Sequence, residues 1–181
     1  MTRFDGARRL ADAALEATVV GSFSRIGFAA RRALFDWDAE PVVDMRGRVV
    51  LVTGASSGFG RATAAALLQR GHRVYGTSRN PAAAARDLGT LIAMDVDDDA
   101  SVAAAVALVL ADAGRIDAIV NNAGVVKIAT PETCTLEEFR FQNAVMSEGV
   151  FLGCKHAMPA MKASGGGSII NMSSVASHLG Y

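Results

Sequence analysis

Residues 48–71 read RVVLVTGASSGFGRATAAALLQRG, and this stretch decides the fold. Its β-branched, apolar run at residues 49–52 is typical of a strand that is buried on both faces of a parallel sheet. An alanine-rich segment follows the glycines and stops at Gly71, as α-helices commonly stop at a glycine. The stretch therefore predicts a strand, a glycine-rich turn and a helix.

The same alternation of short apolar runs and helical stretches continues from here to the end of the chain. Strands are predicted at residues 48–54, 72–79, 90–96, 116–124 and 168–174, and further helices at residues 101–114 and roughly 136–162. Strands that alternate with helices pair in parallel through right-handed crossovers. The sequence therefore predicts an α/β fold with a Rossmann-type, doubly wound parallel sheet.

The glycine-rich turn, TGASSGFG at residues 53–60, has the context of a phosphate-binding loop. It lies between a strand and a helix, where unpaired N–H groups and the partial positive charge of the helix dipole attract phosphate. Glycines at residues 54, 58 and 60 let the backbone approach a pyrophosphate without Cβ clashes. Dinucleotide binding is the favoured interpretation, and a tight turn without a ligand is the alternative.

Two further motifs accompany the glycine pattern Gly-x-x-x-Gly-x-Gly, namely NNAG at residues 121–124 and NMSS at residues 171–174. With these three motifs in order, the chain from residue 46 onward resembles the short-chain dehydrogenase/reductase family. The resemblance implies hydride transfer between a nicotinamide cofactor and a ketone or secondary alcohol. It also implies cofactor contacts at Gly54, Ser56, Ser57, Gly58, Phe59, Gly60, Ser78, Arg79, Asp95, Val96, Asn122, Ala123 and Gly124.

The end of the second strand predicts which dinucleotide is preferred. An Asp or Glu at this place would hydrogen-bond the ribose 2′-hydroxyl of NAD. The sequence has Ser78 there with Arg79 beside it, which leaves room for a 2′-phosphate and supplies a charge-assisted hydrogen-bonding partner. NADP is therefore favoured over NAD, and the alternative is that Arg79 is a solvated loop residue.

The resemblance also implies a catalytic Ser, Tyr and Lys. By motif position the serine is Ser174, which would hold the substrate oxygen, whereas family spacing puts the tyrosine beyond Tyr181 in a Tyr-x-x-x-Lys helix. We expect the chain to be truncated before that motif and inactive alone. We also expect the sheet to be incomplete at its C-terminal side, with residues 168–174 at an exposed edge.

A second departure from the family lies in the long helix. Met146 occupies the place where the family usually has an asparagine that holds a water, and Asn143, one turn earlier, is a possible substitute. This departure keeps open a second hypothesis, a non-catalytic pseudoenzyme that binds NADP(H) or docks a partner. His178 stands in the stretch that borders the substrate pocket in the family.

Composition and charge argue against several classes of protein function. Eighteen Lys plus Arg balance eighteen Asp plus Glu, so no overall charge attracts nucleic acid. The two cysteines, Cys134 and Cys154, have no metal-ligand spacing around them, so no metal is predicted. No apolar run reaches the roughly 20 residues of a membrane helix, and the predicted location is the cytoplasm.

Residues 1–45 differ from the rest of the chain and are predicted to be a helical N-terminal extension to a dinucleotide-binding domain at residues 46–181. Arginines alternate there with phenylalanines and a tryptophan, and residues 7–20 form an amphipathic pattern. The extension packs on the main domain or on a partner subunit in the favoured interpretation. A basic segment on a membrane surface is the alternative. A full-length family member is expected to be a homo-oligomer.

Overall fold

The computed structural model of the chain describes residues 46–83 and 88–174, with six isolated positions before them, 11, 14, 29, 30, 33 and 34. The chain divides into two units, Met1–Asp44 and Met45–Tyr181, and the fold below is that of the second unit. Apart from those six positions, the predicted helical extension at residues 1–45 lies outside the described residues, as do His178 and Tyr181.

Strands and helices alternate along the second unit as the sequence predicts. The strands are β1 (Val49–Val52), β2 (Arg73–Ser78), β3 (Thr90–Ala93), β4 (Ala118–Asn121) and β5 (Ser168–Asn171). The helices are α1 (Gly58–Gln69), α2 (Asp99–Ala113), α3 (Leu136–Asn143) and α4 (Gly149–Ala163), with a 3₁₀ turn at Pro81–Ala83 and a π-helical segment at Ala144–Glu148.

The five strands form one sheet in the order β3-β2-β1-β4-β5, and every adjacent pair is parallel. Within this unit, β1 lies at the centre of the sheet, β2 and β3 follow on one side of it, and the chain then crosses over to β4 and β5 on the other side. This reversal beside β1 creates a crevice at the carboxyl ends of the strands, which is where doubly wound sheets bind ligands. The predicted Rossmann-type fold class is confirmed.

The two faces of the sheet carry separate cores because successive strand side chains point to opposite faces. One face packs on α2 and α4 through a cluster that includes Val49, Leu51, Tyr75, Val106, Leu152 and Ala157. The other face packs on α1 through a cluster that includes Val50, Val52, Val74, Ala64 and Leu88. Burial on both faces explains why β1 is an unbroken apolar run rather than an alternating one.

Local capping sets the ends of several helices. The Asp98 carboxylate accepts hydrogen bonds from the backbone N–H groups of Ala100 and Ser101 at 2.9 and 3.1 Å, and Gly114 ends the same helix in the left-handed conformation with φ of 73°. At α3, Thr135 and Glu138 form a reciprocal capping box. The acidic run at residues 97–99 therefore leads into a helix, with Asp98 as its N-cap.

The predicted long helix at residues 136–162 is interrupted by the π-helical segment Ala144–Glu148. A π-helical turn adds a residue to the repeat, so side chains after it face a different direction from that predicted by a 3.6-residue period. Val145 within the segment is buried, whereas Met146 beside it is exposed. The period of the sequence pattern alone does not show this change of face.

The opposite, amino end of the sheet is held together by one buried carboxylate. Asp117 accepts hydrogen bonds from the Val49 backbone N–H at 2.9 Å, from Arg48 at 2.8 Å and from the Arg115 Nε at 2.9 Å. Burial acts to raise the pKa of Asp117, but hydrogen bonds from Arg115, Val49 and Arg48 outweigh it and lower that pKa below its usual value. The carboxylate therefore joins β1 to β4.

Replacement of Asp117 by Asn is expected to lower the free energy of unfolding by about 2 kcal/mol at pH 7, because a charged acceptor is lost beside two arginines. Because the folded pKa is depressed, the stabilisation is fully present above the unfolded pKa of about 3.9 and is lost as pH falls through the folded pKa. Urea unfolding of wild type and variant between pH 7 and pH 2.5 should therefore give free energies of unfolding that become equal in acid. A gap between them that is constant with pH would contradict this account.

Strand β5 lies at one edge of the described sheet and pairs with β4. Of its side chains, Ile169 packs on the α2 and α4 face, whereas Ile170 is half exposed. The expectation of an exposed apolar edge therefore fits the described residues. Within those residues, no helix is both long enough and apolar enough to cross a membrane.

Candidate functional site

A cavity of about 480 Å³ opens at the carboxyl ends of the strands. The predicted cofactor residues that line it are Gly54, Ser56, Ser57, Gly58, Phe59, Ser78, Arg79, Asp95, Val96, Asn122, Ala123 and Gly124. Thr77, Asn80, Met94, Val125 and Val145 also line the cavity, and the sequence motifs did not single them out. Residues from five segments that are far apart in the sequence thus line one cavity.

Two glycines of the glycine-rich loop adopt left-handed backbone conformations. Gly54 and Gly58 have φ values of 65° and 54°, in the left-handed region that side chains other than glycine rarely adopt. A Cβ added at Gly58 would meet no protein atom within 4 Å, so this position leaves open space above the start of α1. Ser57 and Gly58 therefore present the first N–H groups of the helix to the cavity, in a geometry suited to a phosphate.

Gly60 is not among the cavity-lining residues and lies against the protein instead. A Cβ at Gly60 would come within 2.4 Å of both the Gly54 carbonyl oxygen and the Asn122 Nδ2. The Asn122 amide in turn donates a hydrogen bond to the Thr53 carbonyl oxygen at 2.9 Å. Gly60 thus permits the close contact between α1 and the loop after β4, and its role in the structure is packing.

Thr53 connects the ends of β1 and β4, and the sequence motifs did not identify it. Its buried hydroxyl oxygen accepts hydrogen bonds from the backbone N–H groups of Asn122 and Ala123, both at 2.9 Å. The Ala55 N–H donates to the Thr77 carbonyl on the other side, at 2.9 Å. The turn is therefore fixed to both neighbouring strands. The position of Thr53 directly before Gly54 was the available sequence signal.

The β2 and β3 ends of the cavity bring Ser78, Arg79, Asp95 and Val96 together. The Ser78 hydroxyl accepts a hydrogen bond from the Asn80 N–H at 3.2 Å, and no Asp or Glu stands at the end of β2. Burial, followed by the hydrogen bond and charge of Asp97, raises the pKa of Asp95, while the positive charge of Arg79 acts in the opposite direction. The positive charge of Arg79 therefore acts on the Asp95 carboxyl group, although more weakly than burial and Asp97 do.

Helix α4 begins against this end of the cavity. A Cβ added at Gly149 would lie 3.1 Å from the Val96 side chain and 3.2 Å from its carbonyl oxygen. About two turns further along the helix, Lys155 and His156 both contact the Asp99 carboxylate at the start of α2, with Lys155 Nζ at 2.8 Å. The wall that contains Asp95 and Val96 is therefore held by α4 on one side.

The other end of the cavity lies at β4, beside β5. Asn121 and Asn171 are partners in the parallel register, and the Asn121 Nδ2 donates to the Asn171 Oδ1 at 2.8 Å. The Met172 N–H continues the pairing by donating to the Asn121 carbonyl at 2.9 Å. Ser174 therefore follows the strand next to the one that leads to Gly124, although it is not among the residues of the cavity wall.

The structure describes both candidates for the family asparagine on the long helix. Met146 is exposed within the π-helical segment, directly after Val145, which lines the cavity. Asn143 donates its side-chain amide to the Phe139 carbonyl of its own helix at 3.1 Å. One amide hydrogen of Asn143 is thus engaged within α3, and the side chain is not part of the cavity wall.

The fold and the cavity define a Rossmann-type dinucleotide-binding domain, and among residues 46–83 and 88–174 no cluster of His, Cys, Asp and Glu is suited to a metal ion. The family model described as short chain dehydrogenase matches residues 48–181. The chain therefore belongs to the short-chain dehydrogenase family, whose members are oxidoreductases that bind NAD or NADP.

Several proteins of this family are similar to the chain. A 3-ketodihydrosphingosine reductase of Bacteroides thetaiotaomicron is 40% identical over 138 residues, which cover 75% of this chain and 50% of the relative. A D-threitol dehydrogenase of Mycolicibacterium smegmatis is 41% identical, with coverages of 72% and 54%. The crystal structure of a short-chain dehydrogenase from Streptomyces avermitilis matches with a TM-score of 0.70 at 38% identity, covering 75% of this chain and 52% of that one. The chain thus spans about half the length of these relatives.

Proposed function

We propose that the chain binds NADP(H) and forms the cofactor-binding part of an enzyme that transfers a hydride between NADP(H) and a ketone or secondary alcohol. The observation that carries this proposal is that one continuous cavity joins the glycine-rich loop to Ser78 and Arg79. A serine at the end of β2 gives a 2′-phosphate room, and the adjacent guanidinium gives it a charged hydrogen-bonding partner.

Each wall of the cavity has a role in this proposal. The N–H groups at the start of α1 bind the pyrophosphate, Arg79 binds the 2′-phosphate, and Asp95 with Val96 contacts the adenine. Ala123 and Gly124 line the path toward the nicotinamide, and Ser174 holds the substrate oxygen. The bound dinucleotide supplies the hydride.

Tyr75 is the one tyrosine among the described residues, and it is not a candidate for proton transfer. Tyr75 is buried, and burial together with its hydrogen bond to Asp112 raises its pKa to about 12, far from working pH. It also lies on β2, which β1 and β4 separate from β5, the strand before Ser174. We therefore expect these 181 residues to bind the dinucleotide but to show no turnover by themselves.

A second candidate function is a non-catalytic NADP(H)-binding protein or partner-docking module. Met146 favours it, because a thioether cannot hold the water that an asparagine amide would hold, and the Asn143 amide donates to its own helix. Turnover by a longer protein that contains this chain and the Tyr-x-x-x-Lys motif would exclude this candidate. NADPH binding without turnover in that protein would support it.

The preference for NADP(H) is tested by the dissociation constants of NADPH and NADH for wild type, Arg79→Gln and Ser78→Asp. Arg79→Gln is expected to weaken NADPH binding by about tenfold and to change NADH binding little, because one charge-assisted bond to phosphate is lost. Ser78→Asp should weaken NADPH further and strengthen NADH. Equal effects of Arg79→Gln on the two dinucleotides would contradict the assignment of Arg79 to the 2′-phosphate.

For the whole protein we propose a small-molecule carbonyl or alcohol substrate, a cytoplasmic location and a homo-oligomeric state. The balanced charge of the chain supports the absence of nucleic acid as a partner. Size-exclusion chromatography with light scattering of the longer protein tests the oligomeric state.

A further inference from the structure

Residues 124–129 follow β4 and lead from the cavity to the protein surface. Val125 lines the cavity, whereas Val126 and Ile128 are 77% and 97% exposed, so side-chain burial does little to fix this segment. Segments with few buried apolar contacts open at a low cost in free energy unless hydrogen bonds hold them. The position of Val125 in the cavity wall therefore depends on the hydrogen bonds that this segment makes.

Gln142 of α3 accepts such a hydrogen bond. Its Oε1 lies 3.0 Å from the Lys127 backbone nitrogen, and among the described residues this is the one hydrogen bond that joins the backbone of residues 124–129 to another element. The Gln142 Nε2 donates to the Glu138 carbonyl at 3.4 Å, so both ends of the amide are engaged. The Lys127 ammonium group also lies 3.5 Å from the Glu138 carboxylate. One face of α3 thus holds the segment after β4.

The element that carries Gln142 also contributes to the cavity. Val145 lies three residues after Gln142, in the π-helical segment that continues α3, and it is buried and lines the cavity. The hydrogen bond between Gln142 and Lys127 therefore connects two elements that each supply an apolar side chain to the cavity wall, Val125 from one and Val145 from the other.

This part of the cavity lies at the opposite end from Arg79. Arg79 follows β2, the glycine-rich loop follows β1 and Val125 follows β4, and these three strands lie side by side in that order. In the proposed function the 2′-phosphate and the pyrophosphate occupy the first two places, which leaves the third for the nicotinamide half. The segment that Gln142 holds therefore borders the nicotinamide half of the dinucleotide rather than its adenosine half.

We infer that Gln142 is a positioning residue, which holds Val125 against the nicotinamide half of NADP(H) through its hydrogen bond to the Lys127 backbone. The inference rests on the proposed function and adds to it a residue outside the cofactor motifs. Gln142 does not line the cavity, so it acts through residues 124–129. Without its oxygen, the segment must be ordered when the dinucleotide binds, and the free energy of that ordering is subtracted from the affinity.

The test compares NADPH with adenosine 2′,5′-bisphosphate, which has the adenosine and the 2′-phosphate but no nicotinamide half. Isothermal titration calorimetry gives both dissociation constants for wild type and variants. We expect Gln142→Ala to weaken NADPH binding about fivefold and adenosine 2′,5′-bisphosphate binding by less than about twofold. Gln142→Leu, which also lacks the acceptor, should behave like Gln142→Ala. Gln142→Glu keeps an oxygen acceptor and should restore most of the NADPH affinity.

Amide hydrogen exchange at Lys127 measures the hydrogen bond itself. We expect the Lys127 amide to exchange at least about tenfold faster in Gln142→Ala than in the wild type, while the melting temperature stays close to that of the wild type. Arg140→Ala is the matched control, because Arg140 is exposed on the same helix and does not line the cavity. It should change neither the exchange at Lys127 nor the ratio of the two dissociation constants.

Equal weakening of the two ligands by Gln142→Ala, or no weakening of either, would overturn the inference and leave the proposed function standing. Unchanged exchange at Lys127 in that variant would do the same, since the effect would then not pass through residues 124–129. If the wild type binds neither NADPH nor adenosine 2′,5′-bisphosphate, the proposed function fails and the inference fails with it.

Discussion

Gly153→Ala is expected to destabilise the domain by about 3 kcal/mol, although alanine is normally better than glycine in a helix by about 1 kcal/mol. A Cβ at this position in α4 would lie 2.3 Å from the Asn121 Oδ1. The Asn121 amide cannot easily move away, because it donates to Asn171 at 2.8 Å and contacts the Cys154 Sγ at 3.7 Å. Urea unfolding followed by circular dichroism measures the loss.

The physical cause is tested by the same substitution in an Asn121→Ala background. Removal of the amide opens space for the new methyl group, so Gly153→Ala should then cost much less than it does in the wild type. Gly149→Ala is a graded comparison, since its added Cβ would lie 3.1 Å from the nearest Val96 atom and the cost should be smaller. An equal cost of Gly153→Ala in both backgrounds would show that Asn121 is not responsible.

Gly60→Ala is expected to lower the free energy of unfolding by about 3 kcal/mol and to weaken NADPH binding by more than about 100-fold. Its added Cβ would lie 2.4 Å from the Gly54 carbonyl oxygen and from the Asn122 Nδ2. The Gly54 backbone cannot move aside as easily as the end of a flexible side chain can. The glycine-rich loop must therefore move away from α1, which removes the phosphate-binding geometry. Thermal unfolding and NADPH fluorescence titration measure the two effects.

Gly58→Ala is expected to weaken NADPH binding while it changes the stability of the fold only slightly. Its Cβ would meet no protein atom within 4 Å. The free energy of unfolding of the apo protein should therefore fall only by the roughly 1 kcal/mol that the left-handed conformation costs an alanine. The methyl group would instead occupy space on the cavity side, and NADPH affinity should fall by at least about tenfold.

A Gly60→Ala protein that folds and binds NADPH like the wild type would contradict the role given to the close contact between Gly60 and Gly54.

The order of strands and helices could be predicted because it depends on local patterns. The β-branched run at residues 49–52, the alanine-rich helix after it and the capping aspartate at residue 98 each act within one or two turns of chain. The glycine-rich turn between the first strand and the first helix was likewise predicted from its local pattern. Most of the cavity wall followed from these motifs, because the carboxyl ends of parallel strands meet at one edge of the sheet.

By itself, then, the sequence determined the alternation of elements, the doubly wound sheet and the position of the glycine-rich loop. Only the tertiary structure showed that Thr53 bonds to Asn122, 69 residues away, and that Gly153 must be small beneath Asn121. It also showed that the π-helical segment turns Val145 toward the cavity. The reason is that these contacts join residues distant in the chain, so they exist only after the strands take their order in the sheet.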